Sequence, residues 1–500
     1  MVEPADSGTD TGVDDDSRDV IERLSSGIDG FDTVLDGGFL RGYHYLIRGT
    51  PGAGKTVLGW HFLVADGGED ALYVTFEERP EKIRRNAASL GIDLDSVTIL
   101  DMSPEARSFA EGASYDVFAP SAVEYESLTD RVRAQAEASP TRVLLDPVTQ
   151  LRYLAPDEYQ FRRELLSLMG LLTEQGATVL FTSQASPETP DSDLQFLSDG
   201  IVELSRPNGG RVLDVPKFRG GSVATGPHAV TLDQRGMTVY PRVVPNHDER
   251  PFVRTLASSG VPALDDLLHG GIELGTTTLF SGPTGIGKTT VGALFLVEAA
   301  RQGDHSVLYH LEEKPATFVE RCAAIGTPVT ELLDSGALEI VGVTPSLLTV
   351  GEFLAQVQGD VTDETTFVMI DGAQGFEKLT NLSAEREELS ALRSYLTARG
   401  ITVVVTDEMP NVTGDFRPTK SGETAIADNI VFMRHLEFNG ELHRAIGVLK
   451  KRTSDFEHRL RQFEITDEGV VVGDPITGLS GVLTGDPQWV GAESDREEVL

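Results

Sequence analysis

The segments Gly49-Thr50-Pro51-Gly52-Ala53-Gly54-Lys55-Thr56 and Gly282-Pro283-Thr284-Gly285-Ile286-Gly287-Lys288-Thr289 share one chemistry-bearing spacing: a glycine, four residues, then Gly-Lys-Thr. Glycines let a backbone wrap phosphates with its N–H groups, and a helix opening at the last glycine adds positive potential. The lysine then holds β and γ oxygens while the threonine hydroxyl ligates Mg2+. Each segment follows an apolar run and opens a helical pattern, the context that separates this loop from a flexible glycine turn. ATP with Mg2+ is therefore the expected ligand of both.

Carboxylates stand where such sites need them. Asp146 and Asp371 each end an apolar strand downstream of a loop, where a carboxylate can hold Mg2+ or its water shell; the plainer role for such an Asp is to cap the next turn. Glu77-Glu78 and Glu312-Glu313 end the second strand of each copy, placed to polarise an attacking water. Neighbours at a strand end point opposite ways, so one of each pair faces the phosphate, and we expect Glu77 and Glu312 to be that member.

Lys217-Phe218-Arg219 and Lys450-Lys451-Arg452 repeat as basic-x-basic elements, far along the chain from their own loops, in a sequence with nine lysines. Such a pair can serve an ATP held by a neighbouring subunit, as an arginine finger does, or form a solvated charge pair on an edge strand. Gln184 is placed to sense a nucleotide through its amide, whereas the second copy has Thr406-Asp407-Glu408 there, so the two sites are not chemically equivalent.

The elements that must position these groups follow from periodicity. Short β-rich runs at 45–48, 71–76, 142–146 and 177–182 alternate with helical patterns, and runs at 366–371 and 401–406 repeat the arrangement. That alternation specifies an α/β fold with a mainly parallel sheet flanked by helices in each copy, its apolar runs buried on both faces. Ser25-Ser26-Gly27-Ile28-Asp29-Gly30-Phe31-Asp32 recurs 233 residues on as Ser258-Ser259-Gly260-Val261-Pro262-Ala263-Leu264-Asp265. Lys55 and Lys288, and Lys217 and Lys450, keep that offset, so whole domains are repeated. We expect an acidic tail over 1–19, a first ATPase domain over 20–243, a second over 244–474, and a C-terminal tail over 475–500.

Composition bounds the partners. Seventy-nine acidic against 42 basic residues leave a formal net charge of −37, a field that repels nucleic acid and membrane surfaces. An acidic, lysine-poor surface also keeps a protein hydrated in saturating salt, so a halophilic, haloarchaeal host is expected. No stretch approaches the roughly 18 apolar residues of a membrane span, and the N-terminus is acidic where a secretory signal is basic; a cytoplasmic location is expected. Cys322, the single cysteine, excludes an internal disulfide and is expected to fill a buried position.

Taken together, Ser-Ser-Gly-Ile-Asp-Gly-Phe-Asp, the glycine loop, Phe76-Glu77-Glu78-Arg79-Pro80, the strand-end Asp and Lys217-Phe-Arg-Gly220 resemble the KaiC branch of RecA-like ATPases, over roughly residues 20 to 487. The second copy resembles it equally well. The resemblance implies two tandem RecA-like P-loop NTPase domains, a double-ring homohexamer with ATP at subunit interfaces, and slow hydrolysis led by the first-domain Glu. It also implies that Lys217, Arg219, Lys450 and Arg452 act in trans. Clock KaiC proteins phosphorylate an adjacent Ser-Thr pair in the second domain; the matching stretch, Ser421-Gly-Glu-Thr424-Ala425, departs from that pattern and leaves Thr424 as the candidate phosphorylation site. The tail from Leu479 to Pro487 is similar to the segment through which KaiC is regulated, implying an unidentified protein partner. Two competing classes are a RecA-type recombination mediator, for which no basic channel cluster is present in the sequence, and a scaffold that ATP merely holds together.

Overall fold

The computed structural model describes residues 22–68, 70–103, 139–154, 157–184, 191–207, 210–243, 254–372, 383–408, 427–438 and 440–482, with positions 132, 375, 488 and 489. Thr424 with its flanks, the acidic tail over 1–19, residues 244–253 at the expected start of the second domain and most of the C-terminal tail lie outside these residues. The chain divides into two compact units between Pro241 and Arg242.

In the first unit a nine-stranded sheet is built from β1 (His44–Gly49), β2 (Ala71–Thr75), β3 (Thr98–Asp101), β4 (Arg142–Asp146), β5 (Thr178–Thr182), β6 (Gly200–Ser205), β7 (Arg211–Phe218), β8 (His228–Asp233) and β9 (Gly236–Tyr240). Their order is β3-β2-β4-β5-β1-β6-β7-β8-β9. The first six in that order run parallel and the last three are added antiparallel. The second unit uses β10 (Thr277–Gly282), β11 (His305–His310), β12 (Leu338–Gly342), β13 (Thr365–Asp371), β14 (Thr402–Glu408), β15 (Asn429–Phe438), β16 (Glu441–Lys451), β17 (Arg461–Thr466) and β18 (Gly469–Pro475). Its order, β12-β11-β13-β14-β10-β15-β16-β17-β18, is the same topology shifted by nine strands. β2, β4 and β5 are buried at every position, as parallel strands covered by helices on both faces require. Among the described residues no helix is long and apolar enough to cross a membrane.

The repeated Ser-Ser-Gly motif is architectural. Asp32 accepts from Ser25 Oγ at 2.5 Å and the Ser26 N–H at 2.7 Å, and Asp265 accepts from Ser258 Oγ and the Ser259 N–H at 2.5 and 2.8 Å. Gly27 has φ +77°, and a Cβ there would stand 2.3 Å from the His61 carbonyl, so only glycine fits the turn.

One interior corner is filled differently in the two copies. In the first, Tyr45 stacks on Phe218 at 5.5 Å and packs against Phe39 at 4.6 Å, and Gly200 leaves room for the Tyr45 ring. In the second, Lys451 replaces Phe218, Glu273 replaces Leu40 and Asn429 replaces Gly200. Lys451 and Glu273, both fully buried, form an ion pair at 3.2 Å, and Lys451 also donates to the carbonyls of Leu268 and Gly271. Asn429 donates to Thr276 and Thr278. The ammonium of Lys451 and the amide N–H groups of Asn429 are thus paired, whereas Glu273 Oε2 and Asn429 Oδ1 are buried without a partner among the described residues, so this corner carries a desolvation cost that the aromatic corner does not. Cys322 is buried, and burial pushes its thiol up to about 11.

Candidate functional site

β1 and β10 deliver the two glycine loops to the C-terminal ends of the parallel strands, where ligands of open α/β sheets bind. Helix α1 (Lys55–Val64) starts at Gly54 with φ +113°, and α2 (Lys288–Arg301) starts at Gly287 with φ +117°. Neither start has a side-chain cap, so the first-turn N–H groups are left for a ligand. Lys55 Nζ donates to the carbonyls of Gly49 and Thr50 at 2.8 and 3.2 Å; Lys288 Nζ donates to those of Gly282 and Pro283 at 2.9 and 3.0 Å. Burial pushes both lysines below their ordinary value, opposed by Asp146 in one case and by Glu408, Asp371, Glu312 and Asp407 in the other. An ammonium, buried in the first copy and half-buried in the second, with two of its three donors committed to the loop and beside a helix start that no side chain caps, fits a phosphate chain.

Strand order accounts for the Asp residues. In each sheet one strand separates the loop strand from the Asp strand, and it carries a threonine that reaches across. Asp146 accepts from the Thr182 hydroxyl and from Tyr73 OH at 3.0 Å. Asp371 accepts from Thr406 Oγ1 at 2.7 Å, from the loop residue Thr289 Oγ1 at 2.8 Å, and from His310 Nδ1 at 2.9 Å on its other oxygen. Burial drives Asp146 above the ordinary carboxylate value despite the Thr182, Thr56 and Tyr73 bonds. At Asp371 burial acts in the same direction, but the bonds from His310, Thr406 and Thr289 outweigh it and the group lies below that value. A loop threonine joined to a strand-end carboxylate is a donor set suited to Mg2+.

The glutamate pairs lie just beyond the strands, which end at Thr75 and His310 rather than at the glutamates, so strand alternation does not reach them; one member of each pair is held by a basic side chain. Glu313 is pinned by Arg321 at 2.8 Å and Glu78 by Lys82 at 2.6 Å. Glu312 lines a cavity of about 330 Å³ that also carries Lys288, Thr289, Asp371, Thr406 and Glu408. Arg321 and Arg444 also line it. Glu408 accepts from the hydroxyl of Thr284 in the loop itself, whereas Gln184 takes the matching place in the first copy.

The basic pairs sit at the opposite end of their sheets. Phe218 pairs with Gly200, and Asp199 meets His44 at the start of β1, whereas the loop begins at Gly49; at about 3.3 Å per residue that is about 17 Å from the loop. Lys217 Nζ donates to the carbonyls of Gln195 and Ser198 at 2.7 and 2.6 Å, so it is not a solvated edge charge. Lys450 Nζ donates to the Ala427 carbonyl at 2.6 Å. Arg219 lies 3.5 Å from Asp199 and Arg452 lies 3.1 Å from Asp428, and both arginine side chains are more than half exposed, at 60% and 54%. Both copies thus present an arginine away from their own loop.

Sequence reasoning did not find Tyr73, His310, Thr182, Arg321 or Arg444. Thr182 left a signal, since both strands between loop and Asp carry Thr near their ends; Tyr73, His310 and Arg444 reach their places through register between strands, and Arg321 comes from the helix Pro315–Ala324.

A family model described as ATPase: KaiC matches residues 24–244 and again 257–476. The chain is 28% identical over 499 residues to the circadian clock oscillator protein KaiC of a strain of Prochlorococcus marinus, covering 96% of this chain and 98% of that protein. It is 27% identical to the circadian clock protein KaiC3 of Synechocystis sp. (strain ATCC 27184 / PCC 6803 / Kazusa), covering 97% and 98%. Against the oscillator protein KaiC of Synechococcus elongatus (strain ATCC 33912 / PCC 7942 / FACHB-805), identity is 27%, with 95% and 94% covered.

Proposed function

The chain belongs to the KaiC ATPase family, and on that premise we propose that both clefts bind ATP with Mg2+ and hydrolyse it, within a homohexamer that acts as a regulatory ATPase. The observation that carries this reading is the repeated constellation at one end of each sheet: a loop lysine held by its own loop's carbonyls, and a strand-end Asp fixed by a neighbouring threonine.

Lys55 and Lys288 would hold the oxygens of the transferred phosphoryl group. Thr56 with Asp146, and Thr289 with Asp371, would hold Mg2+, which when bound neutralises charge on the phosphate oxygens. Glu77 and Glu312 would orient and deprotonate the attacking water, with Glu78 and Glu313 bracing the strand ends through Lys82 and Arg321. Lys217, Arg219, Lys450 and Arg452 face away from their own loops, which suits action on a nucleotide held by another subunit. The second cleft supports a further reading, in which its ATP mainly stabilises assembly: Glu408 is bonded to the loop and opposes phosphate charge beside Lys288.

The test is incubation of the full chain in high-salt buffer with γ-labelled ATP and Mg2+, following released phosphate and protein-bound label together. The double variant Glu77→Gln/Glu312→Gln should lower release about 100-fold or more; release unchanged in that variant would overturn the assignment. Label on the protein that disappears in Thr424→Ala adds autokinase activity, and its absence from the parent leaves an ATPase alone.

A further inference from the structure

We propose that His310 is a positioning residue of the second nucleotide site: by donating Nδ1–H to Asp371 it fixes the carboxylate that would ligate Mg2+. It thereby gives that site a metal dependence set by a residue the first site lacks. This rests on the nucleotide reading of the cleft given above.

His310 ends β11 directly opposite Asp371 on β13, and its side chain is fully buried. Its Nδ1 lies 2.9 Å from Asp371 Oδ2, while Oδ1 takes the hydroxyls of Thr289 and Thr406. With both oxygens engaged from different elements, the carboxylate cannot rotate without breaking a hydrogen bond. A carboxylate facing Nδ1 requires the proton on that nitrogen. The ring rests against Phe318 at 4.7 Å, and among the described residues Nε2 has no hydrogen-bond partner. A buried nitrogen without a partner is a poor choice for stability alone, so the imidazole needs a reason to be there.

The first copy supplies the comparison. Thr75 holds the position opposite Asp146 that His310 holds opposite Asp371. Asp146 nonetheless receives the equivalent bond, on Oδ2, from Tyr73 two residues back along β2. In the second copy Leu308 stands at the Tyr73 register and can donate nothing. The two copies therefore keep the hydrogen bond to the Asp while changing both the residue type and the strand position that supplies it. Packing would conserve a shape; what recurs here is a donor aimed at one oxygen. Partners that hydrogen-bond a metal-ligating group typically change metal affinity by 10- to 100-fold when removed.

The experiment uses the full chain carrying Lys55→Ala, which disables the first loop, and titrates Mg2+ against binding of a fluorescent ATP analogue, with a parallel measurement in EDTA. His310→Asn keeps an N–H at the δ position but not the ring; His310→Phe keeps the ring but no donor. We expect His310→Asn to stay within about twofold of the parent in the Mg2+ concentration for half-saturation. His310→Phe should raise it about tenfold or more, with binding in EDTA unchanged. A normal His310→Phe, or equal shifts in both variants, would assign the residue to packing and overturn the proposal. Lys288→Ala in the same background separates the two levels: binding that survives it sinks the cleft assignment, whereas binding lost there with His310→Phe normal sinks only the role of His310.

Discussion

Asp146 and Asp371 occupy equivalent strand ends in opposite electrostatic settings. Asp371 lies below its ordinary value because the bonds from His310, Thr406 and Thr289 outweigh burial. Its ionised form therefore stabilises the fold at every pH above about 3.9, and that contribution disappears only as pH falls through the depressed folded value. Asp146 is raised by burial, so its ionised form costs stability at neutral pH, a cost relieved as pH falls through the raised value. At pH 7 in EDTA, Asp371→Asn should lower stability by about 1.5–3 kcal/mol, the range for hydrogen bonds to a charged group. Asp146→Asn should leave the melting temperature unchanged or raised. Thermal unfolding of the two single variants checks this, and a larger loss in Asp146→Asn contradicts it. Both Asp residues were legible in the sequence because each ends an uninterrupted apolar run. Tyr73 and His310 were not, because which side chain reaches a strand end depends on the register between parallel strands, which periodicity along one strand does not contain.

At the level of elements, the duplicated sheets show how one topology accepts two interiors. The corner that Tyr45, Phe39 and Phe218 fill in the first copy is held in the second by Lys451 and Glu273. Removing one member of a buried pair strands the other, so Glu273→Gln should cost about 3–5 kcal/mol. Glu273→Leu with Lys451→Phe, which restores the first-copy residues, should cost much less or stabilise. Denaturant unfolding of the single and double variants measures the difference; equal losses would mean that the pair contributes nothing specific. The strand runs quoted from periodicity all form strands, with ends moved by one or two residues at most. The middle residue of Lys450-Lys451-Arg452 was hidden, because a lysine reads as surface and only its carbonyl and carboxylate partners explain its burial. The three antiparallel strands that extend each sheet were equally hidden, since antiparallel addition leaves the alternation of each strand unchanged.

Across the whole molecule, the two units carry the same nine-strand order and matching loops, so two nucleotide sites are expected in one chain. The acidic balance of −37 adds a screening effect: association with an anionic nucleotide should strengthen as salt and Mg2+ shield the surface. The most direct test counts nucleotides. Equilibrium dialysis of the full chain against ATP with Mg2+ in high salt should find two bound per chain, one in Lys55→Ala, one in Lys288→Ala and none in the double variant. A single nucleotide in the parent, or two retained when both lysines are replaced, would contradict the claim that each copy holds a working site.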